Sequence, residues 1–296
     1  PAARVPVAGV PAAGSVSAPV AGATTAAGGV GGAAGTPVSA GSAGVPIIST
    51  GVGGVSSIGG AGAAGVTGAM ACTGKSGAKR GKSSESVMAG GQKRTFVYYA
   101  PEKLDPNKPV PLVIVPHGYT QSGEKMFSIT KYPEVADREG FVAVFPDGAP
   151  GSVGPWDVGE NVCGNGAFVP GSGDDQEFVD LMIKFADDNQ CIDHDHIYMT
   201  GWSMGGYLSN HSGCLRDDLR AVGPHSGGAH DLNACKGKRK PVILFHFNPD
   251  GLIDYSCGVK ARDGWVKRNG CKMDDPEVTA VKGGKCEYYK GCPSDG

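Results

Sequence analysis

Gly201-Trp202-Ser203-Met204-Gly205-Gly206 reads Gly-x-Ser-x-Gly between a strand-like run, Ile197-Tyr198-Met199-Thr200, and a helix-like run that begins at Tyr207. A turn from strand to helix this tight leaves no room for side chains, so it takes glycine on both sides of the serine. It lifts one hydroxyl above the sheet edge and aims the amide of the next residue at a reacting oxygen. Ser203 is therefore the candidate nucleophile, and the Met204 amide one candidate oxyanion donor. A Gly-rich chain also yields the five letters by chance, in which case Ser203 is an ordinary capping serine. The strand before and the helix after favour the nucleophile.

Outward from the elbow, strand and helix signals alternate. Thr95–Tyr99 is rich in β-formers, and Val110–Val115 is an almost unbroken apolar run that suits a strand buried on both faces. Phe127–Gly140 reads as a helix stopped by Gly140, and Phe141–Phe145 as the next strand, closed by Pro146-Asp147-Gly148. Asp174-Asp175 opens a helix to about Asn189 with Phe178, Leu181, Met182 and Phe185 on one face. Further strands are expected at His196–Thr200, Leu219–Val222, Pro241–His246 and Val278–Val281, and a short helix at Arg262–Asn269. This order predicts a mainly parallel sheet with helices on both faces, the α/β class, with its site at the carboxyl ends of the strands. His117-Gly118, Ser203 and Asp250 all fall at such ends.

Composition divides the chain near Arg94. The 296 residues carry a net charge of −2, but the part before Arg94 has six basic residues against one acidic, and the rest is −7. The first 93 residues hold no aromatic residue and are mostly Gly, Ala, Val, Pro, Ser and Thr. Such a segment buries too little apolar area to offset its ordering entropy, so residues 1–93 are expected to be a disordered stalk, and residues 94–296 one domain. An acidic domain argues against nucleic-acid binding. No apolar run is long enough to span a membrane.

Eight of the nine cysteines lie after Arg94, which points to an exported, disulfide-bonded, extracellular or cell-surface domain. Cys214 with Cys235 and Cys286 with Cys292 are the expected pairs. No cysteine pair has tight zinc-finger spacing, and Cys72 bears a faint likeness to a lipid-attachment site.

The remaining roles follow from chain order. The second oxyanion donor is expected from the loop after Val110–Val115, near Tyr119, because that loop faces the elbow. Asp250 is the candidate acid, with Asp254 as its fallback, since the order Ser…Asp…His places the acid after a strand downstream of the serine. No histidine follows His246. Without a base a serine hydroxyl is a poor nucleophile. His225 is a substitute base at most; His117 reads as loop packing, and His194, His196 and His211 as surface or packing residues. His117, Trp156, Trp202 and His225 are candidates to border the pocket. The expectation is that the triad histidine lies outside the chain, whose last residues are turn-like.

Residues 94–296 resemble the secreted esterases known as polyhydroxybutyrate depolymerases and the related feruloyl and acetylxylan esterases. The likeness rests on Pro111–Gly118, Ala136–Gly148, Trp156 with Cys163-Gly164, Asp174-Asp175 with Phe178, Ile192–Gly206, Pro224–Gly228, Pro241–His246 and Asp250 with Tyr255. The resemblance implies an α/β-hydrolase fold, Ser203 as nucleophile, Asp250 as triad acid, and a base in a Gly-His segment beyond Cys292. It implies an ester substrate, from polyester or plant cell wall, and no metal or organic cofactor; a monomer is expected. Phe247 stands where the family usually has glycine, and Asp254 where it commonly has proline, which bears on how Asp250 is presented. Two other readings use the same fold: an inactive binding module on a stalk, and a serine peptidase.

Overall fold

The computed structural model describes residue 72 and residues 78–149, 155–159, 162–164 and 174–293. Apart from Cys72, the expected stalk up to residue 77 lies outside the described residues.

The sheet begins at Gly81, inside the segment that composition had assigned to the stalk. β1 (Gly81–Ala89) pairs antiparallel with β2 (Gln92–Ala100) across Gly90-Gly91, whose φ angles of 57° and 72° give the two-residue turn that matches strand twist. β2 pairs antiparallel with β4 (Val142–Pro146), which runs parallel to β3 (Val110–Ile114). β5 (Ile192–Met199) and β6 (Leu219–Val222) complete the parallel part, in the order β1-β2-β4-β3-β5-β6. Parallel bridges Val222↔Val242 and His225↔Phe245 lay the expected strand Pro241–His246 beside β6, though its pairing is too sparse for a regular ladder.

Successive side chains on a strand face opposite ways, and the core divides accordingly. Phe96, Tyr98, Leu112, Ile114, Val142 and Val144 pack with Phe178, Val179 and Met182 of α3 (Asp175–Asn189). Their neighbours Val97, Val113, Ala143 and Phe145 pack with Met126 and Ala136 on the other face. Met126 and Ala136 belong to two helices, α1 (Gly123–Ile129) and α2 (Tyr132–Glu139), where the sequence predicted one. Ser122 caps α1, and Pro133, which lacks an N–H, opens the first turn of α2, so the pair starts twice. Gly140 ends α2 at φ 75°, as expected.

α4 (Met204–Leu215) follows the elbow, and α5 (Tyr255–Arg268) is a full turn or more longer than the predicted helix. β7 (Glu277–Val281) pairs with β8 (Gly284–Tyr288) in a separate two-stranded sheet rather than joining the main one. Four disulfides are present: Cys72–Cys191, Cys163–Cys257, Cys214–Cys235 and Cys271–Cys292. Cys214–Cys235 was expected. The expected Cys286–Cys292 pair is replaced, because Lys272 N–H bonds the Lys290 carbonyl and brings residue 292 beside 271, while Cys286 stays on the β8 ladder as a free thiol. Cys72 is held in a disulfide and is not open to a lipid.

Candidate active site

β5 ends at Met199, and the chain reverses through Gly201 and Trp202 into α4, whose N-cap is Ser203 with φ 55° and ψ −116°. That conformation is costly for any residue with a Cβ and persists only where the surroundings impose it. Glycine is required on both sides. A Cβ on Gly201 would lie 2.4 Å from the Gly205 carbonyl oxygen, one on Gly205 2.1 Å from the Pro116 oxygen, and one on Gly206 2.6 Å from the His225 oxygen. Ser203 N–H donates to the His225 carbonyl at 2.8 Å, which fixes the elbow to the loop after β6. Met204 is the first helical residue, so its N–H has no acceptor within the helix.

The loop after β3 faces the elbow. A Cβ on Gly118 would lie 3.3 Å from the Ser203 Cβ and equally close to Trp202. Gln121 N–H closes a turn onto the Gly118 carbonyl, with Thr120 at φ 64° and Tyr119 partly exposed at its corner. His117 is buried: its Nε2 accepts from Gly148 N–H at 2.9 Å, its Nδ1 stands 2.7 Å from the Gly118 oxygen, and Trp156 Nε1 donates to its carbonyl at 2.9 Å. Burial holds the His117 pKa below its ordinary value, the Gly118 bond opposing. His117 and Trp156 therefore pack against each other (ring centroids 5.0 Å apart) beneath the loop. Neither lines the cavity beside the elbow.

Asp147 secures the same loop from the next strand. Its Oδ1 accepts from Gly123 N–H at 2.7 Å, and its Oδ2 from Thr95 Oγ1 at 2.7 Å. This residue was legible only as turn chemistry in Pro-Asp-Gly; its role needs the neighbouring strands.

The cavity beside the elbow measures about 460 Å3 and is lined by Val115, Met126, Tyr132, Trp202, Phe245 and Phe247, with His225 in its wall. Trp202 and His225 both border this cavity. The His225 ring stands 5.4 Å from the Phe247 ring and 5.9 Å from that of Phe245. Burial lowers its pKa, the nearby His246 adds to that, and Asp250 opposes it. Phe247 turns toward this cavity.

Asp250 follows the cis Asn248–Pro249 bond. Its Oδ1 accepts from Leu252 N–H at 2.9 Å and Ile253 N–H at 3.0 Å, which leaves Oδ2 for an imidazole. Buried His246 lies 3.7 Å from that oxygen but bonds the Ile253 carbonyl at 2.9 Å. Asp254 is the N-cap of α5, accepting from Ser256 N–H at 2.8 Å. His194 and His196 lie on the exposed start of β5 beside Asp187 and Asp193. Among the described residues no histidine ring is hydrogen-bonded to the Ser203 hydroxyl.

No family model matches the chain. Feruloyl esterase D of Neurospora crassa is 26% identical over 235 residues, which cover 74% of this chain and 75% of that enzyme. Feruloyl esterase B of Piromyces equi is 30% identical over 224 residues, 67% of this chain but only 39% of that longer protein. An acetyl xylan esterase from Aspergillus awamori superposes with a TM-score of 0.59 at 15% identity, covering 70% of this chain and 89% of that one. The fold is that of the α/β-hydrolases.

Proposed function

We propose that this chain is a serine-dependent carboxylic ester hydrolase of the feruloyl or acetylxylan esterase type, acting through an acyl-enzyme. The observation that carries the reading is Ser203 at φ 55° on a strand-to-helix elbow, with Gly118 of the β3 loop directly opposite. Ser203 Oγ attacks the ester carbonyl, the Met204 and Tyr119 amides receive the oxyanion, the alcohol leaves, and water then frees the acid. Asp250 orients the base. The base takes the Ser203 proton on attack and returns it to the departing alcohol, and in this reading it is none of the described histidines, since none is hydrogen-bonded to Ser203. The four disulfides fit work in an oxidising, extracellular setting.

The test supplies the base from solution. The purified chain is expected to hydrolyse nitrophenyl acetate slowly and to accelerate saturably with added imidazole, with Ser203→Ala losing the acceleration. Turnover without imidazole that is lost in both Ser203→Ala and His225→Ala would assign the base to His225 instead. No Ser203-dependent turnover under either condition would overturn the hydrolase reading. Methyl ferulate, acetylated xylan and hydroxybutyrate oligomers compared side by side then separate the substrate classes.

A further inference from the structure

Away from the elbow, Cys214 near the end of α4 and Cys235 just after the 3-10 turn Leu232–Ala234 join the following loop to the helix. His230 belongs to the same loop, and its Nε2 lies 3.2 Å from Cys214 Sγ. The two sulfurs and a His230 ring nitrogen all fall within 4.8 Å of one another. His211 precedes Cys214 by three residues on α4, on the same helix face, and its ring centroid is 5.0 Å from that of His230. Nδ1 of His211 and Nδ1 of His230 are both buried without a hydrogen-bond partner. A buried imidazole nitrogen without a partner is costly and calls for an explanation. A cavity of about 550 Å3, lined by His230, Asp231 and Leu232 and by Lys260 and Asp263 of α5, borders this cluster at His230.

We propose that Cys214, Cys235 and His230 bind zinc as three protein ligands when the Cys214–Cys235 disulfide is reduced. A dithiol reductant delivers two electrons and two protons, opens the S–S bond to two thiols and closes its own disulfide. Zinc then displaces the two thiol protons to solvent and binds two thiolates and one neutral imidazole. Two thiolates with one imidazole nitrogen is a three-ligand zinc donor set that leaves a fourth position open, with Zn–S near ~2.3 Å and Zn–N near ~2.0 Å. Both sulfurs must move apart to reach it, while the Arg268 guanidinium on the Cys235 carbonyl and the Gly237 N–H on the Cys214 carbonyl hold the two backbones together. The metal would keep the 229–240 loop clipped to α4 under reducing conditions, as the disulfide does under oxidising ones. The sequence spacing hid this site because its ligands come from a helix and a separate loop.

The experiment uses the full chain, reduced with a trialkylphosphine, which becomes its oxide with oxygen from water and does not compete for metal. One equivalent of zinc is added, cysteines are alkylated, and each is followed by mass spectrometry. The expected result is that Cys214 and Cys235 alkylate at least tenfold more slowly with zinc than without, while Cys271 and Cys292 do not change. His230→Ala should remove most of that protection. Cobalt in place of zinc should give a thiolate charge-transfer band that survives in Cys271→Ser/Cys292→Ser and disappears in Cys214→Ser. Protection that is absent, spread evenly over all cysteines, or unchanged in His230→Ala overturns the proposal, including the case in which the reduced chain unfolds and zinc does not restore selectivity.

Discussion

Ser203 holds a backbone conformation that glycine adopts freely and serine does not. Such strain costs on the order of 1–3 kcal/mol, while glycine adds up to about 1 kcal/mol of unfolded-state entropy. Ser203→Gly is therefore expected to raise unfolding stability by about 1 kcal/mol in urea melts while abolishing any hydroxyl-dependent hydrolysis. A variant that is destabilised instead would show that the hydroxyl, not the elbow, holds this turn. Gly205→Ala should act in the opposite direction. Its Cβ would meet the Pro116 carbonyl oxygen at 2.1 Å, and backbone on both sides cannot yield, so a loss of about 3 kcal/mol is expected. At this scale the elbow was legible because its signal is local, a serine flanked by glycines between a strand-like and a helix-like run, although the Pro116 and His225 backbone that imposes the glycines is remote in sequence. Gly118 opposite Ser203, and His117 tied to Gly148, were less so, because they arise only when β3 lies between β4 and β5.

Between elements, the most concentrated polar contact is Arg94 of β2, fully buried, with Asp174 at 3.0 Å and Asp175 at 2.7 Å at the start of α3. It fastens the sheet to the helix that covers one face. Burial raises the Asp175 pKa, and the Asp157 amide and Arg94 oppose that rise. Removing one partner from a buried ionic cluster typically costs about 3–5 kcal/mol, whereas replacing the whole cluster by apolar groups is often neutral. Arg94→Met is expected to lose that much in thermal or urea unfolding, and Arg94→Met/Asp174→Leu/Asp175→Leu to recover most of it. If the triple variant is no better than the single one, the cluster's hydrogen bonds to the Asp147 carbonyl and the Asp157 amide matter more than its charge balance. Element positions were mostly legible where apolar periodicity was strong, as in β3, β4 and α3. β1 was missed because Lys82-Ser83-Ser84-Glu85-Ser86 has no apolar face. The only local signal for that hairpin is Gly90-Gly91, whose meaning depends on β2 beyond it.

For the molecule as a whole, stability should follow a bell-shaped course with pH, set by groups that are buried in one protonation state. Burial lowers the pKa of His117, His211 and His225, so below about pH 6.5 the unfolded chain binds protons that the folded one refuses, and stability falls as pH falls. Lys240 is almost fully buried, with Nζ donating to the Arg216 and Leu219 carbonyls, and burial brings its pKa from 10.5 down to about 8. Between about pH 8 and 10.5 the unfolded chain holds a proton that the native state has released, so this lysine makes stability rise with pH across that window. The full difference corresponds to about 3 kcal/mol at ~1.4 kcal/mol per pH unit. Against it, burial raises Tyr98 and Tyr207 to about 12, so from about pH 10 the unfolded chain loses protons that the native state keeps, and stability falls again. Urea unfolding between pH 5 and 11 should therefore show a maximum near pH 9–10. Cys286→Ser is the right background, since a free thiolate at high pH would attack the disulfides. Lys240→Met should flatten the rise between pH 8 and 10 and leave the falls below 6.5 and above 10 in place. A rise that survives Lys240→Met would assign it to another group, and a stability that declines steadily from pH 8 would show that the buried lysine keeps its proton in the native state.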